Sequence, residues 1–425
     1  MINLDLLRII EKFKEEEIFN IIFISGIAVI LTIISIHCFS WDEGFTDNVR
    51  YILSALLQTQ AGMIGIIVSI TIIAIQMVSQ QYSTRIGHII LNKTFWAFIL
   101  SYLISMGYEV FALGFLPVKK DIVVVNFLIP YNFLVALVFF FAYFDFLIVI
   151  PYIKSTIYNL RPEVVIEKLI KSIDRKEIEN YKVVNSEYVN YKSAKDIPRN
   201  PLRTVYYIIE KALNLQHYMT VRNAMILLGS YYEELNAKTK NQDERFFRIY
   251  IDIIIRIACL ANNSPISITR EAMISLKKII TYELSNNVNR AIYALKGIGK
   301  IVLANINAED KSRIKIVVLY ALKNLNKISE ELLTKSPNDK IYKFFDELLN
   351  ILEEIIKGSI KTLDKDDFVK VFKKSLDIVL LAQEYANING ENYMERVKKT
   401  VKNIGDLLKS YGYDDLIKSL KIVES

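Results

Sequence analysis

A long apolar helix with a polar, small-residue stripe along one face is the strongest constraint in this sequence. Between Ser54 and Arg85 six small or polar residues recur three, four or seven positions apart, and the other residues are mostly Ile, Leu, Val, Met or Ala. Such spacings keep residues on one face of an α-helix. A helix of this kind can cross a bilayer, but its polar stripe must face protein or water. We call this stripe the seam; its members are Ser54, Gln58, Gly62, Gly65, Ser69 and Gln76.

Four apolar runs in the first third of the chain are long enough to cross a bilayer, which takes about 20 residues. They lie near 18–39, 52–78, 95–116 and 127–153. The sequence therefore predicts an all-α fold that begins with a four-helix transmembrane domain over residues 1–153.

The charged residues are concentrated in the rest of the chain. Residues 1–153 hold 8 Lys and Arg against 11 Asp and Glu, which leaves 45 basic and 35 acidic residues for 154–425. That second part shows apolar residues at helical spacing, broken by Asn, Ser and Pro. We predict that 154–425 is a cytosolic α-helical domain of stacked antiparallel helices, loosely like HEAT repeats.

The connections between the apolar runs predict the orientation. Residues 40–50 carry three acids and one Arg, whereas Arg85 and Lys93 in the second connection have no acid beside them. An excess of Lys and Arg marks the cytoplasmic side, although Lys119 and Lys120 oppose this assignment. We predict a multi-pass protein of the cell membrane with both termini in the cytoplasm.

The end of the seam helix resembles a known family. Residues 69–86 are similar to a prokaryotic family of predicted membrane proteins, domain of unknown function twenty-two fifty-four. That family has Ser-Ile-Thr-Leu-Val-Ala-Leu-Gln and then Ser-x-Gln-Phe-Ser-Pro-Arg, to which Gln81, Ser83 and Arg85 correspond. The resemblance implies a membrane protein of unknown activity.

A second stretch resembles a family motif that reads Asp-Ile-x-x-Arg and ends in Asn-Asp-Pro-x-Thr. The matching residues here are Asp252, Arg256, Asn263 and Pro265, with Ser264 in place of the motif's Asp. The resemblance implies a functional role for this joint. The simpler alternative is a capped turn between helices, with Asp252 and Arg256 as an ion pair four residues apart.

The seam has two interpretations. Gly65 and Ser69 form a small-xxx-small pattern, which lets two helices approach closely. Gln58 and Gln76 are large, however, and glutamines at both ends of a small-residue stripe are also typical of a helix that lines water.

Two acids lie within the apolar runs, and such residues are candidates for function. Counting about 1.5 Å per residue places Glu109 about 21 Å from the inner end of its run and Asp145 about 27 Å from the outer end of the next. We therefore expect the two acids at different depths and not paired. Glu109 is either an outer selectivity or proton-sensing group or a protonated carboxyl bonded to Tyr102, to Tyr108 or to a neighbouring helix, and Asp145 is interfacial.

No pattern in the sequence predicts catalysis. The 2 cysteines lie far apart, and no metal-binding spacing, phosphate loop or nucleophile motif occurs. We expect no catalytic residues, no metal, no cofactor and no nucleic-acid partner.

Two functions are compatible with these features. The first is an oligomeric channel or channel-like conductor, in which the second span lines the path and the helical tail assembles or gates it. The alternative is a non-conducting membrane scaffold or sensor whose cytosolic domain binds a protein partner. Both place the chain in a lipid bilayer, and the first requires a homo-oligomer.

Overall fold

The computed structural model describes residues 22–37, 45–81, 93–115, 131–171, 173, 201–239, 244–307, 310–336 and 338–424. Within these ranges the chain is helical and contains no strand. It divides into two compact units, Met1–Val165 and Ile166–Ser425, which we call unit 1 and unit 2. The predicted all-α fold class is confirmed for the described residues. The assignment of the units to membrane and cytosol stays a prediction.

Unit 1 contains four apolar helices in its described part. They are α1 (Ile22–His37), α2 (Phe45–Gln81), α3 (Lys93–Phe115) and α4 (Tyr131–Asn159). A shorter helix, α5 (Pro162–Lys171), follows.

Within the described part of the chain three helices, not the predicted four, are long and apolar enough to span a membrane. The candidate spans are Asp47–Gln76, Phe95–Gly114 and Phe133–Asn159. Helix α1 is described over only 16 residues. Its length is about 24 Å against a hydrocarbon core of about 30 Å. The remaining residues of the predicted first span lie outside the described part of the chain.

Helices α2, α3 and α4 pack together through two apolar clusters. The first contains Val49, Leu53, Ala112, Val135, Val138 and Phe139. The second contains Ile67, Phe95, Phe98, Tyr102, Val149 and Tyr152. Because early residues of α2 and α4 meet a late residue of α3, α3 runs antiparallel to the other two. The interval between the clusters is therefore the middle of the three-helix packing.

Unit 2 is built from ten described helices. They are α6 (Pro201–Asn214), α7 (Tyr218–Thr239), α8 (Glu244–Leu260), α9 (Ile266–Asn286), α10 (Val288–Ile306), α11 (Lys311–Leu332), α12 (Asp339–Thr362), α13 (Lys365–Asn389), α14 (Glu391–Ser410) and α15 (Asp414–Glu424). Each helix packs against its neighbours in sequence and against the helix two places along the chain. The even-numbered helices α6 to α14 therefore form one row, and the odd-numbered helices α7 to α15 form the other. The likeness to HEAT repeats and the cytosolic location stay predictions.

Polar capping residues set several helix starts in unit 2. Asp310 precedes α11, and its carboxylate accepts hydrogen bonds from the backbone N–H groups of Ser312 and Arg313. Asn338 caps α12 in the same way. These side chains satisfy N–H groups that have no partner within the helix, which fixes where each helix begins.

A buried arginine ties three helices of unit 2 together. Arg290 of α10 is 1% exposed and donates hydrogen bonds to Glu244 at 3.0 Å and to Asn236 at 2.9 Å. Its guanidinium also lies 4.1 Å from the ring centre of Phe247. A buried cation is tolerated only when its donors are satisfied in this way.

Gly229 gives a test of how closely α7 and α9 approach. An added Cβ at this position would lie 2.4 Å from Ser275 Oγ and 2.9 Å from Ser275 Cα. Because a backbone atom cannot move aside as a flexible side chain can, we expect Gly229→Ala to destabilise unit 2 by about 1–3 kcal/mol.

Gly405 of α14 is the control, because nothing lies within 4 Å of an added Cβ there. Gly405→Ala should stabilise the protein by about 0.5–1 kcal/mol, since alanine favours a helix over glycine. Thermal unfolding of the full chain in detergent measures both. Equal effects of the two substitutions would contradict the close approach of α7 and α9.

Candidate functional site

The seam lies on the outward face of α2. The buried residues of this helix, Val49, Leu53, Gln60, Ile67 and Thr71, form one face that packs against α3 and α4. At about 100° per residue, the seam is roughly opposite this face. Five of its six members are exposed and Ser54 is half-buried.

The seam has no close neighbour at its two glycines. An added Cβ at Gly62 or Gly65 would meet nothing within 4 Å among the described residues. Ser69 donates its hydroxyl to the carbonyl oxygen of Gly65 at 2.7 Å, within the same helix. The seam therefore does not pack against α3 or α4 and is open to another partner.

A second polar region lies in the interior of unit 1. Gln60 of α2 donates its side-chain amide to Ser105 Oγ of α3 at 3.2 Å. Ser101 of α3 donates to the carboxylate of Asp145 on α4 at 2.9 Å. We call the set Gln60, Ser101, Ser105, Glu109 and Asp145 the polar layer. Along α2 and α4 it falls between the two apolar clusters, and on α3 Ser105 and Glu109 do so, whereas Ser101 adjoins Tyr102 of the second cluster.

The polar layer contains oxygen atoms without hydrogen-bond partners among the described residues. These are both carboxyl oxygens of Glu109, Asp145 Oδ2 and Gln60 Oε1. Gln60, Glu109 and Asp145 are each 0% exposed. Buried polar atoms normally have partners, so four such atoms in one place need an explanation.

The two acids lie in the same layer, which corrects the predicted separation in depth. Asp145 acts electrostatically on Glu109, and Ser105, one turn from Glu109, lies beside Asp145. The prediction took the fourth run as 127–153, whereas α4 begins at Tyr131 and continues through Pro151 to Asn159. Asp145 therefore lies near the middle of α4 rather than at the inner interface.

Sequence reasoning did not single out Gln60, Ser101 or Ser105. A usable pattern was present on α3, where Ser101, Ser105 and Glu109 follow one another at intervals of four and share one helix face. Gln60 had no such pattern, because the seam already accounted for the polar residues of α2. Its burial depends on contacts with α3 and α4.

The family-motif joint in unit 2 is a tight turn held by an arginine. Residues Ala261–Asn263 form a short 3-10 turn, and Pro265 precedes α9. Arg313 of α11 donates to the carbonyl oxygens of Ser264 and Ala261, the latter at 2.8 Å. Asn263 and Pro265 are exposed. The sequence predicted the turn but not Arg313, which comes from a helix about 50 positions later.

Asp252 of α8 has a hydrogen-bond partner that the sequence did not predict, and the predicted partner Arg256 acts on it electrostatically. Its carboxylate accepts a hydrogen bond from the Tyr293 hydroxyl of α10 at 2.7 Å. Burial raises the pKa of Asp252, and the Tyr293 hydrogen bond and the nearby Lys300, Arg256 and Arg248 oppose this rise. Arg256 also interacts with Tyr206 of α6. Asp252 therefore contributes to the packing of α8 on α10.

The remaining family-motif residues are at the edge of the described part. Gln81 is the last residue of α2, and its side chain lies outside the described part. Ser83 and Arg85 also lie outside the described residues.

The raised pKa of Asp252 predicts a pH dependence of stability. Since the folded-state pKa lies above the unfolded value of about 3.9, the folded state favours the neutral acid, and the contribution of Asp252 is lost as pH rises through the folded pKa. We expect Asp252→Asn to gain stability relative to the parent as pH rises from 4 to 7.

Asp367 provides a control of opposite sign. Its carboxylate lies 2.6 Å from Lys315 Nζ, and that hydrogen bond lowers the pKa of Asp367. Asp367→Asn should therefore lose stability relative to the parent as pH rises from about 2 to 5, the window that contains the lowered folded pKa and the unfolded value of about 3.9. Urea unfolding at several pH values measures both differences. If Asp252→Asn instead lost stability relative to the parent as pH rises, ion pairing of Asp252 with Arg256 would outweigh the effect of burial.

Comparison with known proteins supports the membrane assignment. Residues 18–208 match the model of a family described as "Predicted membrane protein (DUF2254)", which confirms the resemblance predicted from residues 69–86. The match covers unit 1 from residue 18 onward and the start of unit 2. The motif-like stretch at 252–267 lies outside it.

The other comparisons add little. No curated protein matches the chain. A solved structure titled "Circular tandem repeat protein with novel repeat topology and enhanced subunit contact surfaces" aligns with 95% of this chain and 94% of its own, at 11% identity and a TM-score of 0.36. A score of that size does not indicate a shared fold.

Proposed function

We propose that this chain is a multi-pass protein of the cell membrane that assembles into a homo-oligomeric channel or channel-like conductor around the seam of α2. The match to a family of predicted membrane proteins and three candidate spans support the membrane location. In this proposal both termini are cytoplasmic and unit 2 assembles or gates the oligomer. The protein is not an enzyme.

The observation that carries the proposal is the outward position of the seam. The opposite face of α2 is already packed on α3 and α4, so the seam is not needed to hold the described part of unit 1 together. Polar and small residues gain nothing from lipid, whereas a second copy or water gives them partners. A ring of α2 helices would supply both.

Neighbouring residues of α2 indicate which face remains for lipid. Ile66, Ile70 and Ile73 are about half exposed or more and lie beside the seam rather than on it. An α2 helix in a ring would present these isoleucines to lipid or to an adjacent helix and would turn the seam inward. The seam would then line the axis of the oligomer.

Glu109 does not lie on this proposed path. It is buried on the opposite side of α2, near Gln60. Selectivity along the seam would therefore come from Gln58, Ser69 and Gln76 and from the width of the path at the two glycines.

A non-conducting scaffold or sensor is the second candidate, and the Ser69 hydroxyl favours it. That hydroxyl is bonded to Gly65 within the helix and does not require water. In this case the seam only packs helices, and unit 2 binds a cytosolic protein. Accessibility of the seam to water distinguishes the two functions.

Gly65→Leu tests assembly through the seam. Small residues permit close approach of helices, so a leucine at this position should force neighbouring copies apart. We expect Gly65→Leu to shift size-exclusion chromatography in detergent toward a smaller species. Ile70→Leu is the control, because Ile70 is exposed and lies off the seam, and this variant should elute like the parent. The neighbouring Ile67 cannot serve as the control because it is buried. An unchanged elution of Gly65→Leu would contradict assembly through the seam.

Thiol labelling tests whether water reaches the seam. In the channel, Gln58→Cys and Ser69→Cys should react with a membrane-impermeant, hydrophilic thiol reagent, while Ile70→Cys should not. Ser69→Asp should also raise cation conductance in reconstituted bilayers, since a ring of carboxylates attracts cations. Intact assembly with no labelling and no conductance would leave the scaffold as the function.

A further inference from the structure

The polar layer brings together oxygen atoms from all three packed helices. Gln60 comes from α2, Glu109 from α3 and Asp145 from α4. Each side chain is fully buried, and each has at least one oxygen without a hydrogen-bond partner among the described residues. An apolar cluster lies on either side of the layer along the helix axes.

All four unpartnered atoms of the layer are acceptors. The amide nitrogen of Gln60 donates one of its two hydrogens to Ser105 and has a second one near Glu109, so the layer holds one spare donor against four unpartnered oxygens. The hydroxyl of Ser101 is directed to Asp145, and Tyr102 donates to the backbone carbonyl of residue 145 at 2.9 Å. What the layer lacks is therefore positive charge or donated protons, not further acceptors.

The two buried acids also need positive charge or bound protons for the layer to be neutral. Two carboxylates buried without a cation would carry a large desolvation cost. The layer's own members, from α2, α3 and α4, include no Lys, Arg or His. Besides Glu109 and Asp145, the titratable group next to the layer is Tyr102, which donates its proton to a carbonyl. The balancing charge must come from bound protons, from a bound ion or from both.

The ligand set favours a small monovalent cation. Carboxylate, amide and hydroxyl oxygens are hard ligands, and they suit hard cations. Ca²⁺ takes six to eight oxygen ligands, usually with several carboxylates. The layer offers four free oxygens and two acids, and no group of three or more metal-binding His, Cys, Asp or Glu occurs among the described residues.

We propose that the polar layer is a binding site for one Na⁺-sized cation, held by Glu109, Asp145 and the Gln60 side-chain oxygen, and that its binding releases one proton from the acid pair. One carboxyl stays protonated and the other is neutralised by the cation, so the layer remains neutral in both states. The cation would link α2, α3 and α4 at one level. This site is separate from the seam, which lies on the other face of α2.

The proposal predicts cation-dependent stability. A ligand that binds the folded state stabilises it in proportion to the logarithm of its concentration above the Kd. We expect the Tm of the full chain in detergent to rise saturably, by ~3 °C or more, when NaCl replaces N-methyl-D-glucamine chloride at constant ionic strength. With a pH indicator in weak buffer, Na⁺ addition should release about one proton per chain.

Three variants remove ligands without a large change in shape. Glu109→Gln and Asp145→Asn should each weaken the apparent Na⁺ affinity at least tenfold, and each should therefore release fewer protons at the Na⁺ concentration that saturates the parent. Gln60→Met removes one oxygen but no charge, so it should weaken affinity and leave the proton count unchanged. It also keeps the test available should an acid variant not fold.

Thr71→Val is the control. Thr71 forms a buried hydrogen bond at 3.0 Å with Tyr152, which belongs to the second apolar cluster of unit 1. Its loss should lower the Tm in every solution while the Na⁺-dependent rise stays at the parental size. This separates loss of packing from loss of the ion.

Three results would overturn the proposal. The first is a Tm that does not respond to Na⁺ between pH 6 and 9, with no proton release, which would mean that protons alone neutralise the acids. The second is a Na⁺ response that survives both Glu109→Gln and Asp145→Asn. The third is Ca²⁺ binding with two protons released, in which case the site is divalent.

Discussion

In hydrocarbon a polar group has to find its partner inside the protein, and α2 carries polar groups on two opposite faces. One face holds Gln60, which is buried against α3 and α4. The other holds the seam, which has no close neighbour at its glycines among the described residues. The inner face is accommodated within unit 1, and in the proposed channel the outer face is accommodated by assembly or water.

Unit 2 meets the same requirement in a different way. Two of its buried basic side chains have several partners each: Arg290 binds two acids and an amide, and Arg313 binds backbone carbonyls at a turn. Such groups fix the packing of helices that are distant in sequence, since removing one partner leaves a buried charge unpaired. The polar layer of unit 1 has the opposite composition, with acceptors in excess. This contrast is the reason to assign a ligand there and none at the arginines.

The sequence predicted local structure well and tertiary relations poorly. The second apolar run, predicted at 52–78, lies within α2, and the seam falls on one face as expected from its spacing. The predicted depth of Asp145 was wrong, because a run of apolar residues does not show that a helix continues through Pro151. The roles of Gln60 and Arg313 could not be predicted, since each depends on a helix far away in the chain. Helical periodicity is a local property, whereas the partner of a buried polar group is not.

The two polar faces of α2 are mechanically connected because one continuous helix of 37 residues carries both. Gln60 is within two residues of the seam members Gln58 and Gly62, so a helix rotation that withdraws Gln60 from the layer also turns the seam. Each apolar cluster resists that rotation, since Leu53 and Ile67 would leave their packing along with Gln60. Protons or a cation can therefore bind to the polar layer or leave it while the apolar clusters stay packed. In this arrangement the layer, not the apolar clusters, is where a change in pH or in cation concentration would act on α2.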